Sequence, residues 1–284
     1  MIKFGAKTDL GRVRENNEDK FDFFEPEDLE ILARKGAFYA VADGMGGHAA
    51  GQIASEMAIK TVMKTYYADD SPDVAGSLRR AFYEANGLIH DAARAIVERT
   101  GMGTTLTVVV IRADEMYFAQ VGDSRGYLIT KGSIRQVTED HSWVAEQVKR
   151  GALTEEDAKF SPFRNVITRS MGNMPSVDID IFPEEIKAGD TIVLCSDGLS
   201  GNLSAEDILT ITSGKSPSQA AVDLIDTANQ RGGHDNITAV VIAVKDLIYD
   251  ENAQPMPAQR AVAVETTDIK QPEEKKKGLF GLFR

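Results

Sequence analysis

Between Thr105 and Val137 the chain lays down four short apolar or β-branched runs, separated by links of only two to four residues. The runs are Thr105–Ile111, Met116–Val121, Arg125–Thr130 and Ser133–Val137, and the links are Arg112–Glu115, Gly122-Asp123-Ser124 and Lys131-Gly132. Links this short force antiparallel neighbours, because a parallel crossover needs a dozen or more residues. The reading is a meander. It excludes a doubly wound nucleotide-binding sheet.

The flanking sequence supplies the layers. Residues 3–9 and 20–24 read as strands around the polar turn Gly11–Asp19, and Ala37–Ala42 reads as a third. Apolar residues at helical spacing (Ile53, Met57, Ile59) predict a helix over Ala49–Tyr67. A second runs over Val74–Arg99 through Leu78, Phe82, Ala85, Ile89, Ala93 and Val97. Two long helices in succession imply a helical hairpin laid on a sheet. Residues 139–173 are polar and read as an insertion over the sheet edge, with a helix Trp143–Arg150 and another from Thr154. Ile179–Ile186, Thr191–Cys195 and Ile237–Val244 read as strands. Pro217–Gln230 reads as a helix capped by Ser216, with proline at its first position.

Near residue 249 the character changes. Residues 249–284 hold Pro255, Pro257 and Pro272 with little periodicity, and read as a disordered tail after a domain spanning 1–248. The tail ends in Lys275-Lys276-Lys277-Gly278-Leu279-Phe280-Gly281-Leu282-Phe283-Arg284. That end has two readings: docking on a partner or an anionic membrane, or a solvated tail.

The net charge of −12 disfavours nucleic acid and anionic surfaces as partners of the body. Cys195 is the only cysteine, so no internal disulfide forms and a thiolate zinc site is excluded. Its apolar neighbours predict a buried, inert thiol. The N-terminus has no signal-peptide core, and no apolar run reaches the length of a membrane span. A cytoplasmic monomer is the expectation.

One pattern recurs. Val41-Ala42-Asp43-Gly44, Val121-Gly122-Asp123-Ser124 and Leu194-Cys195-Ser196-Asp197-Gly198 each end an apolar strand in Asp, and His234-Asp235-Asn236 places one just before a strand. Alternate strand ends of an antiparallel sheet share an edge, so these carboxylates converge. The N-terminal turn adds Arg14, Glu18 and Asp19. Clustered carboxylates repel one another, and a pair of hard divalent cations resolves the repulsion. Such a site suits phosphate-ester hydrolysis, which demands a barrier reduction on the order of 20 kcal/mol. Arg14 has two readings: a bidentate clamp for phosphate, or a surface ion pair with Glu15 or Glu18.

Six segments, in order, then carry a resemblance: Arg14–Asp19, Asp43–His48, Gly101–Thr105, Val121–Arg125, Ser196–Leu199 and His234–Thr238. The chain resembles the metal-dependent (type 2C, PPM) protein serine/threonine phosphatases, most closely their bacterial branch, over roughly residues 1–246. The resemblance implies an α+β fold, an αββα sandwich of two antiparallel sheets flanked by helix pairs. It implies that Asp43 bridges two Mn²⁺ or Mg²⁺ ions, that Asp197 and Asp235 complete one and that the Gly44 carbonyl serves the other. Glu18 and Asp19 would hold waters beside the metals, and Arg14 would bind the substrate phosphate. Asp123 matches a ligand of a third, weaker ion, and residues 139–173 match a flap beside the cleft.

Two departures stand out. Gly201 replaces an Asp that supports the third ion in many relatives. Met45 follows Gly44 where some relatives carry a His, which makes His48 a poor choice of general acid and better suited to a helix-start role or to supporting the metal ligands from behind. The implied activity is hydrolysis of phosphoserine and phosphothreonine in proteins by a water that two metals activate, reversing a Ser/Thr kinase. The alternatives are a non-catalytic regulatory or binding module on the same fold, and a two-metal nuclease, which the acidic charge opposes. Trp143 either covers substrate or anchors a short helix. His90 and His141 read as structural or exposed.

Overall fold

The computed structural model describes residues 2–47 and 49–245. Those residues build two antiparallel sheets, each faced by helices. The first sheet has the order β1 (Ile2–Asp9), β11 (Ile237–Val244), β10 (Thr191–Cys195), β7 (Arg125–Thr130), β8 (Ser133–Gln136). The second has the order β2 (Asp19–Phe24), β3 (Ala37–Met45), β5 (Leu106–Arg112), β6 (Glu115–Val121), β9 (Asp180–Glu185), with the two-residue β4 (Gly103–Thr104) paired to the end of β3. The helices are α1 (Leu29–Lys35), α2 (Ala49–Ala68), α3 (Val74–Ala95), α4 (Trp143–Lys149), α5 (Glu155–Phe160), α6 (Asp197–Ser200), α7 (Ala205–Thr212) and α8 (Pro217–Gln230). The αββα expectation holds. His48 and residues 246–284, and with them the expected tail and domain end, lie outside the described residues.

Alternation along each central strand explains the unbroken apolar runs. In β3, Phe38, Ala40 and Ala42 face the α2–α3 hairpin, while Ala37, Tyr39 and Val41 face the other sheet. In β11, Val240, Ile242 and Val244 face the second sheet, while Ile237, Ala239 and Val241 pack under α8. With both faces covered, both parities are largely apolar, and each buried Leu, Ile or Phe contributes about 1.5–3 kcal/mol.

The helix signals act locally. Ser216 caps α8 through its hydroxyl, which accepts from the Gln219 N–H, and Pro217 opens the helix. Asp73 caps α3, whose Leu78, Phe82, Ala85 and Ile89 are buried at helical spacing. The hairpin helix stops at Ala95 rather than Arg99. Ile96 is extended, and Val97–Arg99 form a separate 3-10 turn. Two β-branched residues in succession favour that break. Helix α1 was not expected from the sequence. Asp28 caps it by accepting from the Glu30 and Ile31 N–H groups, and buried Lys35 donates to the Ser71 carbonyl and the Ser77 hydroxyl.

The meander reading needs one correction. β5–β6 and β7–β8 are hairpins, but they belong to different sheets, and Gly122-Asp123-Ser124 carries the chain from one sheet to the other. Gly122 has φ +110°, and a Cβ there would lie 2.5 Å from that of Thr105. Buried Ser124 faces the Thr105 hydroxyl at 2.8 Å, and its carbonyl accepts from the Thr107 hydroxyl. These bonds turn the link out of the second sheet. Asp123 therefore sits where the two sheets meet.

Candidate metal centre

The site is assembled at the edge shared by the two sheets. Asp43 lies near the end of β3, two residues before its last, on the parity of Tyr39 and Val41, toward the opposite sheet, and Asp19 is its partner in the β2–β3 register. From the first sheet, Asp197 begins α6 just beyond β10, and Asp235 lies two residues before β11.

Asp19 is 1% exposed and ties the sheets together: its Oδ2 accepts from the hydroxyls of Ser196 and Thr238, both at 2.7 Å. The Asn236 side chain locks the N-terminal turn. Its Oδ1 accepts from the Glu18 N–H, and its Nδ2 donates to the carbonyls of Leu10 and Asn16. The Thr105 hydroxyl accepts from the Asp43 N–H at 2.9 Å, and the Thr104 hydroxyl donates to the Asp43 carbonyl at 2.9 Å. Gly44 is packed against its neighbours, since a Cβ there would lie 2.1 Å from the Gly51 carbonyl oxygen of α2. A Cβ on Gly51 would fall 1.9 Å from Glu18 Oε2. The Gly51 position belongs to helix α2, so periodicity alone hid its role.

The carboxylates perturb one another. Asp19 and Asp123 are buried, and Asp43 and Asp197 half-buried. Desolvation raises the pKa of all four, and the neighbouring carboxylates add to the rise: Asp197 and Asp235 on Asp19; Asp19, Asp197 and Asp123 on Asp43; Asp197 on Asp123; Asp235 on Asp197. Arg14 is exposed at the mouth. Its Nη2 donates to Asp235 Oδ2 at 2.7 Å.

The donor set fits divalent cations. Asp19 Oδ1, Asp123 Oδ1 and Asp197 Oδ1 are buried with no hydrogen-bond partner, and the one other such atom among the described residues is Asn229 Oδ1 of α8. A buried carboxylate oxygen without a partner is costly, and a cation removes that cost. Oxygen-only donors select a hard ion. The shell is not closed round a single point. Among the described residues no three His, Cys, Asp or Glu side chains are grouped as ready-made ligands of one ion, and Arg14 engages Asp235. Position 201 offers no carboxylate, and a Cβ there would approach the Asp197 carbonyl at 2.9 Å.

The segment 139–173 is pinned at both roots. Arg125 grips Asp140 through Nε and Nη2. His141 is buried and structural: its Nδ1 accepts from the Gly122 N–H at 2.9 Å, so Nε2 carries the proton given to Asp180 Oδ2. The returning segment is held where the Thr168 N–H donates to the His141 carbonyl and where Met171 bridges Thr104. Trp143 packs on Phe163, with ring centroids 5.0 Å apart, as a helix anchor does. Cys195 is buried, and burial pushes its thiol up to about 12. No helix among the described residues is long and apolar enough to cross a membrane.

Comparison with known proteins agrees with this fold. Residues 7–147 match the family described as protein phosphatase 2C. The serine/threonine phosphatase stp of Listeria welshimeri is 38% identical over 243 residues, covering 83% of this chain and 93% of its own. The solved serine/threonine phosphatase of S. agalactiae superposes with a TM-score of 0.80 at 37% identity, covering 86% of this chain and 100% of the other. The catalytic domain of the serine threonine protein phosphatase PstP, solved in complex with 2 manganese ions, gives a TM-score of 0.75 at 34% identity and covers 86% of this chain and 99% of its own.

Proposed function

This chain belongs to the protein phosphatase 2C family, and on that premise we propose that it is a bacterial-type protein serine/threonine phosphatase which hydrolyses phosphoserine and phosphothreonine in proteins. In this reading it reverses a Ser/Thr kinase. The observation that carries the reading is the set of converging Asp side chains whose buried oxygens lack partners.

Asp43, the Gly44 carbonyl, Asp197 and Asp235 would hold two Mn²⁺ or Mg²⁺ ions, with Asp123 toward a third. A relative of this chain, PstP, is solved with two manganese ions, which supports the assignment. Bound there, such ions acidify a water and neutralise charge on the phosphate oxygens. The chain's own residues do the positioning. Arg14 exchanges Asp235 for two phosphate oxygens, which its planar fork matches. Asp19, fixed through Oδ2 by two hydroxyls, has a partnerless Oδ1 that would hold water at the site. Glu18, beside Gly51 at the start of α2, orients water from the other side.

The test is hydrolysis of a phosphothreonine peptide by purified protein. Turnover with Mn²⁺ that EDTA abolishes and Asp43→Ala removes is the expected result. Full turnover in EDTA, or by Asp43→Ala, refutes it.

A further inference from the structure

We propose that the cleft between the C-terminal end of α3 and the Thr100–Met102 loop binds an anionic side chain two or three residues along the substrate from its phosphorylated residue. The proposal rests on the phosphatase reading above and names the sequence context that this site prefers. The cleft has a volume of about 310 Å³ and is lined by His90, Arg94, Thr100, Met102, Gly172 and Asn173, among others. Arg94 is the one formally charged side chain on its wall, and no carboxylate lines it among the described residues. Among those residues Arg94 makes no hydrogen bond or ion pair, whereas Arg80 and Arg231 are held by Asp69 and Asp207. On a chain of net charge −12, an unengaged guanidinium in a cleft is a recognition group for carboxylate or phosphate.

The walls are preformed. His90 Nδ1 donates to the Gly172 carbonyl at 3.1 Å, which fixes the ring. Asn86 braces the opposite wall: its Oδ1 accepts from the Gly172 N–H at 2.8 Å, and its Nδ2 donates to the Met174 carbonyl at 3.0 Å. Such bracing lowers the ordering cost of binding.

Position follows from register. Gly44 pairs with Thr104 and Met45 with Gly103. A Cβ on Gly46 would lie 3.0 Å from the Met102 Cα, so the cleft wall touches the backbone two residues beyond Gly44. Two extended residues span about 7 Å. An extended peptide with its phosphate at the Asp43–Gly44 end covers that distance in two or three residues. The shared ligand chemistry is an anion, supplied by an acidic residue or by a second phosphorylated one.

The test compares kcat/KM on phosphothreonine peptides carrying Glu, phosphoserine, Ala or Lys at each of the three positions on either side. Wild type, Arg94→Ala and Arg94→Glu are assayed with Mn²⁺, beside p-nitrophenyl phosphate. At one of those positions wild type is expected to favour Glu over Lys by about tenfold, equivalent to about 1.4 kcal/mol. Arg94→Glu should invert the order and leave p-nitrophenyl phosphate turnover and melting temperature unchanged, since Arg94 is exposed. Phosphoserine outperforming Glu there identifies a second phosphate as the natural anion; the reverse identifies an acidic residue. Equal turnover of Glu and Lys peptides by wild type, or a uniform loss with Arg94→Glu, overturns the proposal. Failure to hydrolyse p-nitrophenyl phosphate at all overturns the phosphatase reading instead, and this one with it.

Discussion

Two populations of aspartate in this molecule are held in opposite ways. Asp69 and Asp207 lie at the surface against Arg80 and Arg231, with backbone N–H groups from Ser71 and Ser204 completing them, and their pKa values are lowered. Asp19, Asp43, Asp123 and Asp197 crowd one another at the sheet edge, with pKa values raised by desolvation and by their neighbours. The first arrangement stabilises the fold slightly. The second destabilises the fold that carries it. Side chains that cost stability where they stand call for a ligand, and in the proposed function that ligand is a cation.

Replacing a crowded carboxylate is the sharpest way to break this contrast. Asp43→Asn should lower turnover by roughly a thousandfold, the several kcal/mol a bound metal supplies. The same change should leave the metal-free protein as stable as wild type or more so, because it removes like-charge repulsion. A metal-free form that melts lower in a thermal scan would show that the carboxylate serves the fold.

Gly51→Ala probes the same region through shape. Its Cβ would displace the end of the Glu18 side chain and crowd the Gly44 carbonyl carbon at 2.9 Å, so kcat/KM should fall by about tenfold or more with only a modest loss of stability. Gly44→Ala instead meets the backbone carbonyl of Gly51 and should reduce the yield of folded protein. Equal effects of both changes on folding would erase the distinction.

Metal addition should stabilise only through the crowded group. At a hundredfold excess over Kd, one bound ion contributes about 2.7 kcal/mol, or about 5–10 °C in melting temperature for a domain of this size. Asp69→Asn should show the full shift, and Asp43→Asn little of it.

The smallest effect lies at the surface. The Asp69 pKa is lowered from 3.8 to about 2, chiefly by the Ser71 N–H and then by Arg80. A lowered folded pKa gives stability that is present above the unfolded value and is lost as pH falls through the folded one. Asp69→Asn should therefore cost well under 1 kcal/mol at neutral pH, as exposed pairs do. That difference should vanish between about pH 4 and pH 2 in denaturant titrations.

The sequence was most legible where local signals agree. Thr191–Cys195, Pro217–Gln230 and Ile237–Val244 match their elements end to end, because apolar runs with clear stops or a Ser-Pro cap leave little choice. Short α1 lacked a long apolar stripe, and Asp28 was its only mark. The switch of sheets at Gly122–Ser124 was hidden because short links set strand direction and say nothing about which sheet receives the next strand. The strand-end Asp pattern marked carboxylates that the fold brings to one shared edge. That Asp19 is buried and hung on Ser196 and Thr238 depends on two sheets meeting, which no local window contains.

The most direct test is calorimetric titration of Mn²⁺ into EDTA-stripped, folded protein, wild type against Asp43→Asn. A cation site at the crowded edge predicts at least two ions bound per wild-type chain and a marked loss of binding in the variant. No binding heat to wild type, or identical isotherms for the two proteins, would contradict it.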